Sequence, residues 1–257
     1  MDVGCNYLRE HIIPEARIHY TITNSGGSAP NTVQSEAEVC YNIRAPKNGD
    51  MVDIYEQIQA VAKGAAMMTG TTVDIRPVSY YANYLDNATL NHVTEECMKE
   101  IVDHTYTVEE LQYAKKFQTV LSPNALKTAR EQALLYGGED AREIVDSPMC
   151  LYTLPTALPK PASTDYGNVS WNVPSICFSC TCFSAGTALH SRPAVAQGKS
   201  SIAHKGMHNA AAVMTLSAVK LFEDPTLVAK AKEDFITAKV EETYTCILPD
   251  TVKPGDF

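Results

Sequence analysis

The chain contains no run approaching the roughly 20 consecutive apolar residues that a membrane-spanning helix requires, so no membrane span is expected. Positive charge is scarce: 21 Lys and Arg face 30 Asp and Glu, a formal charge of −9. A surface of that sign repels phosphate, which argues against nucleic acid or an anionic membrane as a partner. Glycine and proline are also sparse, at 13 and 14 of 257 residues, while 45% of the chain is apolar. Low-complexity disorder is thereby excluded, and the length allows one large domain or two small ones. The opening MDVGCNYLRE has no basic-then-apolar leader pattern, so a cytoplasmic, reducing setting is expected. Eight cysteines, at 5, 40, 97, 150, 177, 180, 182 and 246, are scattered and do not make a compact disulfide framework; they read as thiols.

What is present is patterned. Val3, Tyr7, Leu8, Ile12 and Ile13 form a helical stripe closed by Pro14. Ala16, Ile18, Tyr20 and Ile22 then alternate with polar residues, and after the turn-rich NSGGSAPNT the alternation resumes from Val33 to Arg44. Asp50 is placed to cap a helix through Ile54, Ile58, Val61, Ala62 and Ala65 that ends at Gly70, and TTVDIRPVSYY predicts a third strand with an edge or bulge at Pro77. Helix, strand, strand, helix, strand is the ferredoxin-like βαββαβ order without its first strand. Because such a strand lies inside the sheet and its loss exposes an edge, residues 1–86 are expected to be a domain whose first strand is missing, and the chain to begin inside a domain.

Residues 87–257 read differently. Asn87 or Thr89 starts one helix, Thr107 with Glu110 forms a capping box for a second, and Ser122-Pro123 starts a third ending at Gly137. Residues 148–174 hold five of the 14 prolines, the composition of a functional loop. SICFSCTCF reads as one buried strand, followed by a helix from Ser200 or Ser201 to Phe222 and another capped by Asp224 with Pro225 in its first turn. One strand is too little sheet for these helices, so this second domain is also expected to be incomplete.

Several candidates for chemistry have plainer readings. Cys177, Cys180 and Cys182 lack a fourth ligand at a matching spacing. His204 and His208 share a helix face, but Lys205 stands where a zinc-protease helix carries its Glu, so an exposed face is expected. Glu95-Glu96, Glu109-Glu110, Glu139-Asp140 and Glu241-Glu242 are neighbours that point apart, and Tyr80, Tyr81 and Tyr84 read as packing at a strand end. Three features are stronger: the Gly26-Gly27-Ser28-Ala29-Pro30-Asn31 loop with Arg44 ending the next strand on its polar face, where a guanidinium can grip a carboxylate; the STDYGNVSW segment with the only Trp; and Gly186-Thr187-Ala188-Leu189-His190, a His after a tight turn.

The blocks NYLREHIIPEARIHYTIT, GGSAPNTVQSEAEVCYNIRAP, STDYGNVSWNVPS, AQGKSSIAHKGM and FEDPTLVAKAKEDF together resemble the C-terminal part of a dinuclear zinc amidohydrolase and carboxypeptidase family over nearly all 257 residues. The resemblance implies an α+β and α/β architecture. Residues 1–86 would be a ferredoxin-like lid that mediates dimerisation, with an antiparallel sheet and two helices. Residues 87–257 would be the C-terminal half of a zinc-peptidase-like α/β catalytic domain. It further implies His190 as a metal ligand and Asn31, Arg44 and Gly186 as substrate-binding positions, in an enzyme that hydrolyses a small N-acyl amino acid such as aminobenzoyl-glutamate. Two zinc ions, or manganese, would serve the complete enzyme, with a homodimer through the lid and a second hydrolase subunit as partners. The remaining family ligands and the Glu general base correspond to sequence before Met1, so the chain alone is expected neither to hold the metal pair nor to be active. Leu189, Arg192-Pro193 and Asn168 depart from the family pattern. The competing expectation is a non-catalytic dimerisation or peptide-binding module.

Overall fold

A computed structural model describes residues 1–102, 105–136, 147–149, 163–240 and 244–252. By backbone proximity the chain divides into one unit of Met1–Tyr84, Ser163–Trp171 and Glu241–Phe257, and another of Leu85–Ala162 and Asn172–Val240. The class is α+β, as expected.

In the first unit the alternating segments pair as an antiparallel ladder, β1 (Arg17–Asn24) with β2 (Glu38–Arg44), in the register Ile18 to Ile43 and Tyr20 to Tyr41. Period-2 alternation puts the apolar set on one face, where Ile18 packs with Cys5 and Leu8 of α1 (Asp2–Leu8) and Ile54 and Ile58 of α2 (Asn48–Thr69). Three expectations are corrected here. The first helix ends at Leu8, well before Pro14. Asp50 lies inside the first turn of α2 instead of capping it, because the helix begins at Asn48; Gly70 does end it, in the left-handed conformation at φ 63°. Residues 71–81 join no ladder; two strands are the sheet among the described residues.

Residues 80–83 are instead held by the STDYGNVSW segment, which forms the short α6 (Tyr166–Ser170). Asn168 accepts from the Ala82 N–H at 2.7 Å and donates to the Tyr80 carbonyl at 3.1 Å. Trp171, 1% exposed, donates its indole N–H to the Asn83 carbonyl at 2.8 Å and stacks on Tyr244. A Cβ on Gly167 would come within 2.0 Å of the Ala82 oxygen, so the residue has to be glycine. These backbone groups thus find side-chain partners where the sequence predicts a ladder.

The second unit contains α3 (Ala88–Ile101), α4 (Val108–Gln118), α5 (Pro123–Tyr136), α7 (Arg192–Gln197), α8 (Ser201–Glu223) and α9 (Pro225–Ala238). Its caps follow the sequence closely. Asn87 accepts from Leu90 N–H, Thr107 and Glu110 form a capping box, Ser122 accepts from Ala125 N–H, Ser200 caps α8 and Asp224 caps α9. Asn87 also donates to Ala231 O at 2.8 Å, and Thr89 donates twice to Asp234, which pins the start of α3 to α9. Val93, Cys97, Met98 and Val213 form a core with Phe178. The SICFSCTCF segment is not the buried strand expected: Cys177 and Ser179 are exposed, Cys180 and Cys182 half-buried, and no ladder forms on it among the described residues. Gly137, Glu139-Asp140, Glu241-Glu242 and most of the proline-rich loop lie outside the described residues.

Candidate functional site

The loop that carries His190 is tied down along its length. Ser184 N–H donates to Gln197 Oε1 at 2.8 Å, while Gln197 Nε2 donates to Thr187 Oγ1 at 3.0 Å and Pro193 O at 3.1 Å; Gln197 is fully buried. Ala185 N–H reaches Pro148 O, and Ser191 caps α7 while donating to Ala188 O. Gly186 turns at φ 82°, and a Cβ there would meet Leu121 Cδ1 at 2.9 Å, so both backbone and packing require glycine. His190 itself adopts φ 58°, unique among the described non-glycine residues, and its side chain is exposed. Left-handed backbone at a non-glycine residue is strained and persists only where neighbours impose it. Here Ser191 and the buried amide of Gln197 do so.

Gln197 has no counterpart among the residues singled out from the sequence. An isolated Gln at the end of a short helix carries no local signal, and its role emerges only through partners ten and thirteen residues away. Replacing it with alanine leaves the buried Ser184 N–H without its acceptor, for which we expect a loss of about 1–3 kcal/mol, measured by urea unfolding.

Asn31 and Arg44 lie in the other unit and are both exposed. The loop bearing Asn31 folds over Gln34: Gly26 and Gly27 turn at φ 81° and 153°, and a Cβ on Gly26 would strike Glu36 O at 2.2 Å. Arg44 does end β2 on its outward, polar face, as its place in the alternation implies. Directly across the ladder stands Arg17, a neighbour that only the strand register reveals. Arg17 donates to the Pro14 and Ala16 carbonyls, leaving Arg44 the outward-facing guanidinium of the pair. Two like charges opposite each other repel, and an anion between them relieves that repulsion. The fold thus places Arg44 with Asn31 in one unit and His190 with Gly186 in the other.

The remaining candidates have structural roles. His204 and His208 are exposed. Burial pushes the Cys180 thiol up to about 11, helped by Cys182, which keeps it protonated and a poor ligand at neutral pH. Tyr80 is buried and Tyr84 stacks on Tyr166, whereas Tyr81 is 52% exposed and does not pack as expected. Glu110 is more than a cap. At 7% exposure it accepts from Thr107 N–H at 2.8 Å, Ser201 Oγ at 2.6 Å and Lys205 Nζ at 2.7 Å. It lies in the wall of a cleft of about 430 Å³ with Glu109, Tyr113, Ala196, Lys199, Ser200 and Ser201. With its carboxylate engaged by three donors, Glu110 is a structural anion and not a free base.

No protein-family model matches the chain. Over 263 aligned residues, 99% of its length, it is 40% identical to a p-aminobenzoyl-glutamate hydrolase component from Escherichia coli strain K12. The chain resembles that hydrolase throughout. It spans 54% of the E. coli relative, about half its length. Xaa-Arg dipeptidases of Mus musculus and Homo sapiens match over 84 residues at 36% and 32% identity, covering 32% of this chain and 19% of theirs. The family resemblance carried by the sequence blocks is therefore upheld by relatives named as a hydrolase and as dipeptidases.

The likeness to the E. coli hydrolase raises the metal implied by the family. Among the described residues no three His, Cys, Asp or Glu side chains converge. His190 offers one imidazole, and a single donor does not fit a dinuclear centre. The donor set present here does not match the metal pair.

Proposed function

We propose that this chain is the C-terminal portion of a metal-dependent amidohydrolase that cleaves the amide bond of an N-acyl amino acid, with aminobenzoyl-glutamate as the substrate and inactivity as the state of the chain by itself. The observation that carries this reading is the 40% identity to the E. coli hydrolase over 99% of the chain. Residues 1–86 then serve as a ferredoxin-like lid that pairs two copies, and residues 87–257 as the C-terminal part of the catalytic domain, in the cytoplasm. Zinc, or manganese, is the expected metal; its other donors and the general base come from sequence corresponding to the part of the E. coli relative that this chain does not span.

Within the chain, the residues have separable tasks. Arg44 binds the substrate carboxylate through two parallel N–H donors, a geometry lysine does not reproduce. Asn31 donates to the scissile carbonyl, the backbone at Gly186 lines the acyl side, and His190 is held outward as the one metal donor. The exposure of Arg44 and the enforced backbone of the His190 loop support these assignments.

The test is an assay of the purified chain with zinc or manganese on aminobenzoyl-glutamate, alongside the E. coli hydrolase. No turnover by the chain is expected; turnover near that of the E. coli protein refutes the view that the other donors lie elsewhere. In the E. coli protein, alanine at the position aligned with Arg44 is expected to weaken substrate binding by about 2–5 kcal/mol, seen as a raised KM. An unchanged KM removes Arg44 from the site.

A further inference from the structure

Helix α8 (Ser201–Glu223) is apolar on two sides. Its buried side carries Ile202, Gly206, Val213 and Ser217 and packs with Val93, Cys97 and Met98 of α3. Close approach is built in there, because a Cβ on Gly206 would come within 2.1 Å of Thr181 O and 2.6 Å of Cys182 Sγ, so the 175–183 segment lies directly on the helix. At 100° per residue, a second stripe of Met207, Ala211, Met214, Ala218 and Phe222 points away from that side. All five are exposed, Met207 and Met214 at 57% and Phe222 at 87%, and none is charged. Half-buried Ala210 and Leu221 join the stripe to the buried side without a polar break.

A helix apolar around most of its circumference belongs to an interior layer, not to a surface. Its outward stripe therefore calls for a cover. The net charge of −9 disfavours an anionic membrane surface. Two observations indicate a sheet. The 175–183 segment alternates exposed Cys177 and Ser179 with half-buried Phe178 and Cys180, as a strand does, yet has no ladder among the described residues. Strands added beside it continue over α8. The second observation is length: the chain spans 54% of the E. coli relative, so close to half of that protein lies outside the matched span.

We propose that the Met207–Phe222 stripe of α8 is a docking surface for the apolar face of a β-sheet, supplied by a polypeptide equivalent to the part of the E. coli hydrolase that this chain does not span. The proposal rests on the hydrolase reading above and adds where the two parts meet. It treats the assembly as strand addition to the 175–183 segment with α8 as the covering helix.

The experiment co-expresses the full 257-residue chain with the non-matching part of the E. coli hydrolase and examines the product by light scattering and hydrogen exchange. A one-to-one complex with new protection in α8 is expected. Met214→Glu and Phe222→Asp are expected to leave the Tm of the chain alone unchanged while weakening the complex at least about tenfold, since each places a charge on an apolar contact. As a second measurement, the same substitutions at the aligned positions of the intact E. coli protein are expected to lower its Tm by roughly 10 °C or more. Absence of a complex together with an unaffected Tm in the E. coli protein overturns the proposal. So does a complex indifferent to both substitutions, or a homodimer of this chain that protects α8. Activity is scored separately. A complex that depends on α8 but does not hydrolyse aminobenzoyl-glutamate overturns the hydrolase reading and keeps the docking surface; hydrolysis unaffected by Phe222→Asp does the reverse.

Discussion

Replacing Trp171 with alanine is expected to destabilise the first unit by about 3–5 kcal/mol, the range for deleting a large buried aromatic side chain. Trp171 is 1% exposed, stacks on Tyr244 and donates to the Asn83 carbonyl at 2.8 Å, so the substitution opens a cavity and leaves a backbone acceptor without its donor. Trp171→Phe separates the two effects. Most of the ring volume remains, and the loss is expected to fall to about 1–2 kcal/mol, the cost of the missing hydrogen bond. Because Trp171 is the single Trp of the chain, unfolding must be followed by circular dichroism rather than indole fluorescence. A loss below about 1 kcal/mol for the alanine variant contradicts the view that the STDYGNVSW segment holds residues 80–83.

Lys205→Met is expected to cost about 2–3 kcal/mol at neutral pH, against the roughly 3–5 kcal/mol for stranding a carboxylate whose pair is wholly buried. The value is lower here because the Lys205 side chain is 38% exposed and Glu110 keeps Ser201 and the Thr107 N–H. Burial, the largest influence on Glu110, pushes its carboxyl up, but the Lys205 and Ser201 donors and the Thr107 N–H together hold it below the usual carboxylate range. A carboxylate whose folded value lies below its unfolded value of about 4.3 stabilises the fold above that pH. That contribution disappears as the pH falls through the lowered folded value. The gap between wild type and Lys205→Met should therefore be full at pH 7 and close on acidification. Adding Glu110→Gln to Lys205→Met should recover part of the loss, since no buried charge is then left unpaired. A gap independent of pH contradicts this account.

The elements that formed as their sequence patterns predict are those whose signals are local. Thr107 and Glu110 cap α4 because the two residues that satisfy each other are three apart, and Asp224 with Pro225 opens α9 for the same reason. The alternation of β1 and β2 is equally local, with a short loop between strands that fit each other's register. Residues 71–81 and 175–183 carry comparable strand-like composition but form no ladder among the described residues. A strand exists only with a neighbour, and composition does not say whether a neighbour is there. For residues 80–83 the partner is the side chain of Asn168, more than 80 positions away.

The same division runs through the candidate site. The types and positions of Arg44, Asn31, Gly186 and His190 were legible, since a guanidinium at a strand end and a His after a tight turn are recognisable where they stand. How they are held was not. Gln197 fixing the His190 loop, Arg17 opposite Arg44, and Glu110 clasped by Ser201 and Lys205 are pairings made by the folded chain. By itself the sequence determined the caps, the one ladder, the scarcity of positive charge and the family likeness, because each is written in neighbouring residues or in long blocks. Only the tertiary structure decided which polar groups are buried and paired, and that α8 has a second apolar side left in the open. Those depend on contacts between residues distant in the chain, which periodicity along one element does not encode.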